Sequence, residues 1–156
     1  SVEEVRRRID GYHRPYREAL GREIDAACGR HGRVWHFNCH SMKSRGNAMN
    51  TDAGRPRPDL VIGDRDGTSA DPAVTRWVAD HFTALGYRVA INDPYRGADI
   101  VRAHGDPSRG RCSVQIEINR ALYMDEATCE PGPGFARLRE HLTGFARAAA
   151  ARLDAA

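Results

Sequence analysis

The run "CSVQIEIN" at residues 112–119 constrains this chain more than any other. Val114, Ile116 and Ile118 alternate with Ser113, Gln115, Glu117 and Asn119. A strand built from it has one apolar face and one polar face. In a central strand the polar face must line something wet or paired, because a buried carboxylate without a partner is costly. The chain must therefore form a sheet with polar groups along one face.

Around this run, strand-like and helix-like patterns alternate. Val2, Val5, Ile9, Tyr12, Tyr16, Leu20, Ile24 and Ala27 recur at steps of three and four, one apolar stripe of a helix. Pro15 interrupts it, and its ring would clash with the Gly11 carbonyl, so a kink or break is expected there. "VWHFN" (34–38) reads as a short buried strand, and residues 39–58 as a polar loop. "DLVIGD" (59–64) reads as a second strand. Asp71-Pro72 opens a helix whose face is Val74, Trp77, Val78, Phe82 and Leu85. "YRVAIND" (87–93) is a third strand, and 94–111 a long loop. Phe135, Leu138, Leu142, Phe145, Ala149 and Leu153 mark a C-terminal helix. The expectation is one α/β domain over 1–156 with a mostly parallel or mixed sheet flanked by helices. Ligands of such sheets sit at the carboxyl ends of the strands. The polar clusters at 39–50, 64–69, 92–97 and 119–120 are expected to gather on one edge.

Composition narrows the function. Hydrophobic residues make up 40% and charged residues 29% of 156, as in a soluble globular domain. The balance of 24 Lys+Arg against 21 Asp+Glu, +3, is too mild to demand nucleic acid, and the arginines are scattered rather than blocked. No aromatic stacking motif for RNA is present. No apolar run approaches the roughly 18 residues of a membrane span. Cys28, Cys39, Cys112 and Cys129 form no C-x-x-C pair and read as reduced cysteines of a cytoplasmic protein. The chain opens at Ser1, not Met, and reads as a fragment, a processed product or a trimmed chain.

Several residues carry chemistry. His40, beside Ser41, is a metal ligand or an ordinary hydrogen-bonding imidazole. His36 shares its strand parity; His13, His31, His81, His104 and His141 have no metal-type spacing. Glu117 is a general base or the partner of Arg120 or another arginine. Arg45, Arg65 and Arg120 sit at strand ends or in the loops after them and suit carboxylates. Asn47, Asn92 and Asn119 add amide contacts. There is no phosphate-binding glycine loop.

Taken together, "YHRPYREAL", "CHSMKSRGNAMN", "RPDLVIGDRDGTSADP", "LGYRVAINDPYRGADIVR" and "QIEINRALYMDE" resemble the N-formylglutamate amidohydrolase family. They run in family order from about residue 12 to 126. The family is similar to zinc carboxypeptidases and aspartoacylase-type amidohydrolases, which implies their α/β fold and a Zn²⁺ cofactor. In that wider group a His-Ser after a strand supplies a zinc ligand and a later strand glutamate is the general base. The resemblance assigns these roles to His40 and Glu117, 77 positions apart. It further implies that Ser41, Arg45, Asn47, Arg65, Asn92 and Arg120 contact the substrate, with Tyr95 near the tetrahedral intermediate. The implied reaction is hydrolysis of an N-acyl amino acid, N-formyl-L-glutamate to formate and glutamate, in histidine breakdown. Alternatives are a hydrolase of another N-acyl amino acid or peptide, and a non-catalytic binding domain.

Two departures matter. The family's D-x-H-S becomes Asn38-Cys39-His40-Ser41, and residues 1–156 hold no "PHSG"-like segment with further zinc ligands, which a full member is expected to carry before Ser1. Residues 1–156 alone are therefore expected to be inactive. The sheet edge and the apolar stripe should be partly uncovered, favouring self-association.

Overall fold

A computed structural model describes residues 1–155. Four strands form one mixed sheet in the order β1-β4-β2-β3. They are β1 (Val34–Met42), β2 (Leu60–Gly63), β3 (Val89–Ile91) and β4 (Arg111–Asn119). β1 runs parallel to β4 and β2 parallel to β3, but β2 and β4 are antiparallel. That single antiparallel pairing overturns the expected single edge. The chain leaves β1 and β4 at one end of the sheet, and β2 and β3 at the other.

The alternation in β4 does what its chemistry requires. Val114, Ile116 and Ile118 join Leu60 and Ile62 on one face. Against them pack Val74, Val78 and Phe82 of α3 (Pro72–Ala84), and Leu138 and Phe145 of α5 (Phe135–Ala155). The Phe145 ring lies 4.9 Å from Phe37 and from Phe82, centroid to centroid, and 5.6 Å from Trp77. This aromatic knot joins strand and helix layers. Asp71 caps α3 by accepting from Ala73 N–H, with Pro72 in the first turn, as its sequence predicts.

The N-terminal stripe forms α1 (Val2–Arg8) and α2 (Arg14–His31), joined by a π-helical turn over Ile9–His13. Pro15 explains the turn. It has no N–H to donate, and the Arg14 N–H reaches back five residues to the Ile9 carbonyl, so the helix widens instead of breaking. Val2, Val5, Ile9, Tyr12 and Tyr16 are exposed, and Ile24 is the one buried residue of α2. The loop 94–111 contains a helix missed in the sequence, α4 (Asp99–His104).

The polar face of the sheet lies towards α2 and α4. His36 Nδ1 sits 2.8 Å from Ser113 Oγ, and its ring meets His104 edge-on at 6.4 Å. Burial, and secondarily the neighbouring His104, holds His36 below the usual imidazole range. Burial, then Arg17, lowers His104, with Arg111 adding and Asp25 and Asp99 opposing. Both imidazoles are harder to protonate folded than unfolded. Their contribution to stability is thus present above the unfolded value of about 6.5 and is lost as pH falls below it, because the unfolded chain binds more protons. The urea midpoint should decline from about pH 6.5 to 5, and less steeply in His36→Asn, which keeps a partner for Ser113. Parallel declines in the two proteins would remove His36 from this account.

Candidate active site

Strand β1 is longer than its apolar run suggests. It continues to Met42, so His40 lies within the strand, not in the loop beyond it. The parallel register then sets His40 directly opposite Glu117, across an interstrand gap of about 5 Å. His36 and Ser113 form the same kind of pair four residues earlier.

Glu117 is buried at 7% exposure, while His40 is exposed. Glu117 makes no ion pair with Arg120 or any other arginine among the described residues. Its Oε1 accepts a 2.8 Å hydrogen bond from Gln115 Nε2. Burial pushes its carboxyl above the usual carboxylate range, while His40, the Gln115 amide, Arg57 and Arg120 pull it back down. A desolvated carboxylate among positive groups but bound to none is suited to taking a proton.

The other expected residues divide into three groups. Arg120 and Ser41 stay at the same end of the sheet, Arg120 Nε donating to Ser41 Oγ at 3.1 Å. Arg45 and Asn47 lie in the exposed loop after β1 and help to hold it. Arg45 Nη1 donates to the Gly54 carbonyl at 3.0 Å, and Asn47 Oδ1 accepts from Met49 N–H at 2.9 Å. Ser44 ties the same loop to Glu126, its N–H donating to Oε1 at 2.9 Å and its hydroxyl to Oε2. Arg65 and Asn92, expected as substrate contacts, follow β2 and β3, which run opposite to β1 and β4. Asn92 Nδ2 donates to Asp64 Oδ1 at 2.7 Å, and Arg65 Nη1 donates to the Gly97 carbonyl at 3.1 Å.

Tyr95 does reach the site end, although it follows β3. After Asn92 the chain turns back across the polar face. Gly63 allows this approach, since a Cβ there would stand 2.7 Å from Gly97 N and 2.8 Å from Arg96 C. The returning segment puts the Tyr95 ring 5.0 Å beneath the guanidinium carbon of Arg57.

Arg57, Asp52 and Gln115 were not singled out from the sequence. Arg57 is 4% exposed and bound at both ends of its fork by Asp52, Nε to Oδ2 at 2.7 Å and Nη2 to Oδ1 at 3.0 Å. The Arg57 guanidinium holds the Asp52 carboxyl below the usual range. In sequence Arg57 is one arginine of many in a polar loop, and five residues is no helical spacing that would suggest its partner. Gln115 lay on the flagged polar face, and the alternation of β4 was the signal that was available. An apolar hollow of about 530 Å³ beside α5, lined by Ile118, Tyr123, Leu138 and Leu142, lies on the opposite face and holds none of these groups.

The sequence matches the N-formylglutamate amidohydrolase family over residues 1–124. It is 32% identical over 127 residues to the N-formylglutamate deformylase of Pseudomonas putida, covering 81% of this chain and 46% of that one. The structure superposes on the crystal structure of N-formylglutamate amidohydrolase from Ralstonia eutropha JMP134 with a TM-score of 0.83 and 46% identity, covering 91% of this chain and 51% of that chain. The chain spans about half the length of these relatives. With the family matched over most of its residues, the chain belongs to the N-formylglutamate amidohydrolase family.

Proposed function

We propose that this chain carries the general base and part of the substrate pocket of an amidohydrolase that cleaves N-formyl-L-glutamate to formate and glutamate. One observation carries the reading: Glu117 is buried, unpaired by arginine, and set opposite His40 on parallel strands. The names of the relatives support the substrate. Glu117 takes the proton of the attacking water and passes it to the leaving amine. Arg120 with Ser41, and Arg45 with Asn47 from the loop after β1, hold the two carboxylates of the substrate. Tyr95 faces the reacting carbonyl. The reaction belongs to histidine breakdown in the cytoplasm. No helix among the described residues is long and apolar enough to cross a membrane.

Zinc enters as part of this proposal through His40. A catalytic zinc takes about three protein ligands, and no group of three or more His, Cys, Asp or Glu side chains converges among the described residues. These residues alone do not form the metal site. The proposal needs ligands from beyond them, in keeping with a chain that spans about half the length of its relatives. The complete zinc-loaded enzyme, with those further ligands present, is expected to release formate from N-formyl-L-glutamate and to hold about one zinc per chain, most of it lost in His40→Ala. Equal zinc in the two proteins by elemental analysis would remove His40 as a ligand. Absence of formate from the complete zinc-loaded enzyme, further ligands included, would overturn the function.

Residues 1–156 alone are expected to self-associate. β1 is an edge strand of nine residues, and the stripe from Val2 to Tyr16 is exposed. A monomer by size-exclusion chromatography at high concentration would refute this.

A further inference from the structure

Gln115 is 3% exposed and uses both ends of its amide. Its Oε1 accepts from the Ala98 N–H at 2.9 Å, and its Nε2 donates to Glu117 Oε1 at 2.8 Å. The orientation is forced. Ala98 offers only a proton, so the amide oxygen must face it and the NH₂ must face the carboxylate. Glu117 Oε2 accepts no hydrogen bond among the described residues. The segment ending at Ala98 is itself pinned to the turn after β2. Arg65 N–H donates to the Arg96 carbonyl at 2.7 Å, and Gly97 packs on Gly63.

From this arrangement we infer that Gln115 is the positioning residue of the proposed reaction. It fixes one oxygen of Glu117, leaves the other as the base, and ties that base to the backbone segment that carries Tyr95. The inference rests on the reading of Glu117 as general base. Its physical content is geometric. A carboxylate free to rotate presents either oxygen at variable depth, and misplacing a catalytic group by about 1 Å is able to lower a rate about a hundredfold. Gln115 removes that freedom. It also makes the positions of base and Tyr95 depend on one side chain, so contact with Tyr95 and alignment of Glu117 are coupled. Arg65 then acts through this segment, which its guanidinium holds at the Gly97 carbonyl.

Gln115 is the sole glutamine of the sequence, so selective ¹⁵N-glutamine labelling gives one side-chain NH₂ signal from the full chain. In the wild type, one of its two protons should exchange at least about tenfold more slowly than in a free glutamine side chain. In Glu117→Leu that protection should disappear while the backbone amide of Ala98, followed in a uniformly ¹⁵N-labelled sample, stays protected. An unprotected Gln115 amide in the wild type, or one unchanged in Glu117→Leu, would overturn the inference whether or not the protein is active.

Kinetics of the zinc-loaded enzyme supply the second arm. Gln115→Met keeps the volume and loses both hydrogen bonds. It should lower kcat by about ten- to a hundredfold with KM little changed. In the Glu117→Gln background the same substitution should lower kcat no further, because there is no base left to align. An equal loss of kcat in both backgrounds would mark Gln115 as merely structural and overturn the assignment. If the complete zinc-loaded wild type shows no turnover, the functional reading fails, and the amide measurement still decides whether Gln115 holds Glu117.

Discussion

Replacing Glu117 by glutamine is expected to lower kcat at least ~100-fold in the zinc-loaded enzyme while leaving fold and metal content intact, the lower end of a general-base contribution. The carboxamide has the shape of the carboxylate, and its oxygen still accepts the proton of Gln115 Nε2. What is lost is the ability to take a proton from water. Burial already disfavours the ionised form of this carboxyl, so removing the charge should not lower thermal stability at neutral pH. Formate release, circular dichroism and elemental zinc together test this. An unchanged kcat with bound zinc would take Glu117 out of the mechanism. A collapse of the fold would instead show that its charge holds the polar face together.

The second large effect is on stability. Asp52→Ala should destabilise the protein by about 2–3 kcal/mol, chiefly by stranding Arg57. Removing one partner of a fully buried pair costs roughly 3–5 kcal/mol, because the remaining charge is left without compensation. The lower value applies here because the Asp52 side chain keeps 15% of its exposure, although that of Arg57 keeps only 3%. The Coulomb attraction is the smaller part of the effect, and the unsatisfied guanidinium donors are the larger part. Two companions separate these. Arg57→Met fills the same space without charge and leaves Asp52 near solvent, so it should cost less than Asp52→Ala. Asp52→Asn keeps an acceptor and should fall between them. Urea unfolding measures all three, and Arg57→Met as damaging as Asp52→Ala would refute the argument. Arg57 also sits against Tyr95, so Asp52→Ala should loosen that ring.

Features set by local period and local chemistry were legible in the sequence. The alternation at 112–119 defined both faces of β4, because a strand places successive side chains on opposite sides whatever surrounds it. The stripe from Val2 to Ala27 defined a helix, and Pro15 marked where its hydrogen bonding changes. Asp71-Pro72 marked the start of α3. The resemblance placed attention on His40 and Glu117, and the register set them side by side.

Other features depended on pairings between segments distant in sequence. Whether β2 runs with β4 or against it is not written in either strand, since both directions bury the same apolar face. The antiparallel choice alone decided that Arg65 and Asn92 leave the sheet away from Glu117. The extension of β1 through Met42 depended likewise on β4 offering a partner to polar residues that have no strand pattern of their own. Asp52 with Arg57, Ser44 with Glu126, and Gln115 with Ala98 are ordinary polar residues in sequence. The return of chain 94–98 across the sheet, over a glycine that leaves room for it, brings Ala98 to Gln115, and the folding of the loop after β1 brings Asp52 to Arg57 and Ser44 to Glu126, so that a frame forms near one buried carboxylate. Hydrogen bonds are short-ranged and directional, so such a frame comes into being when the backbone brings the partners within about 3 Å.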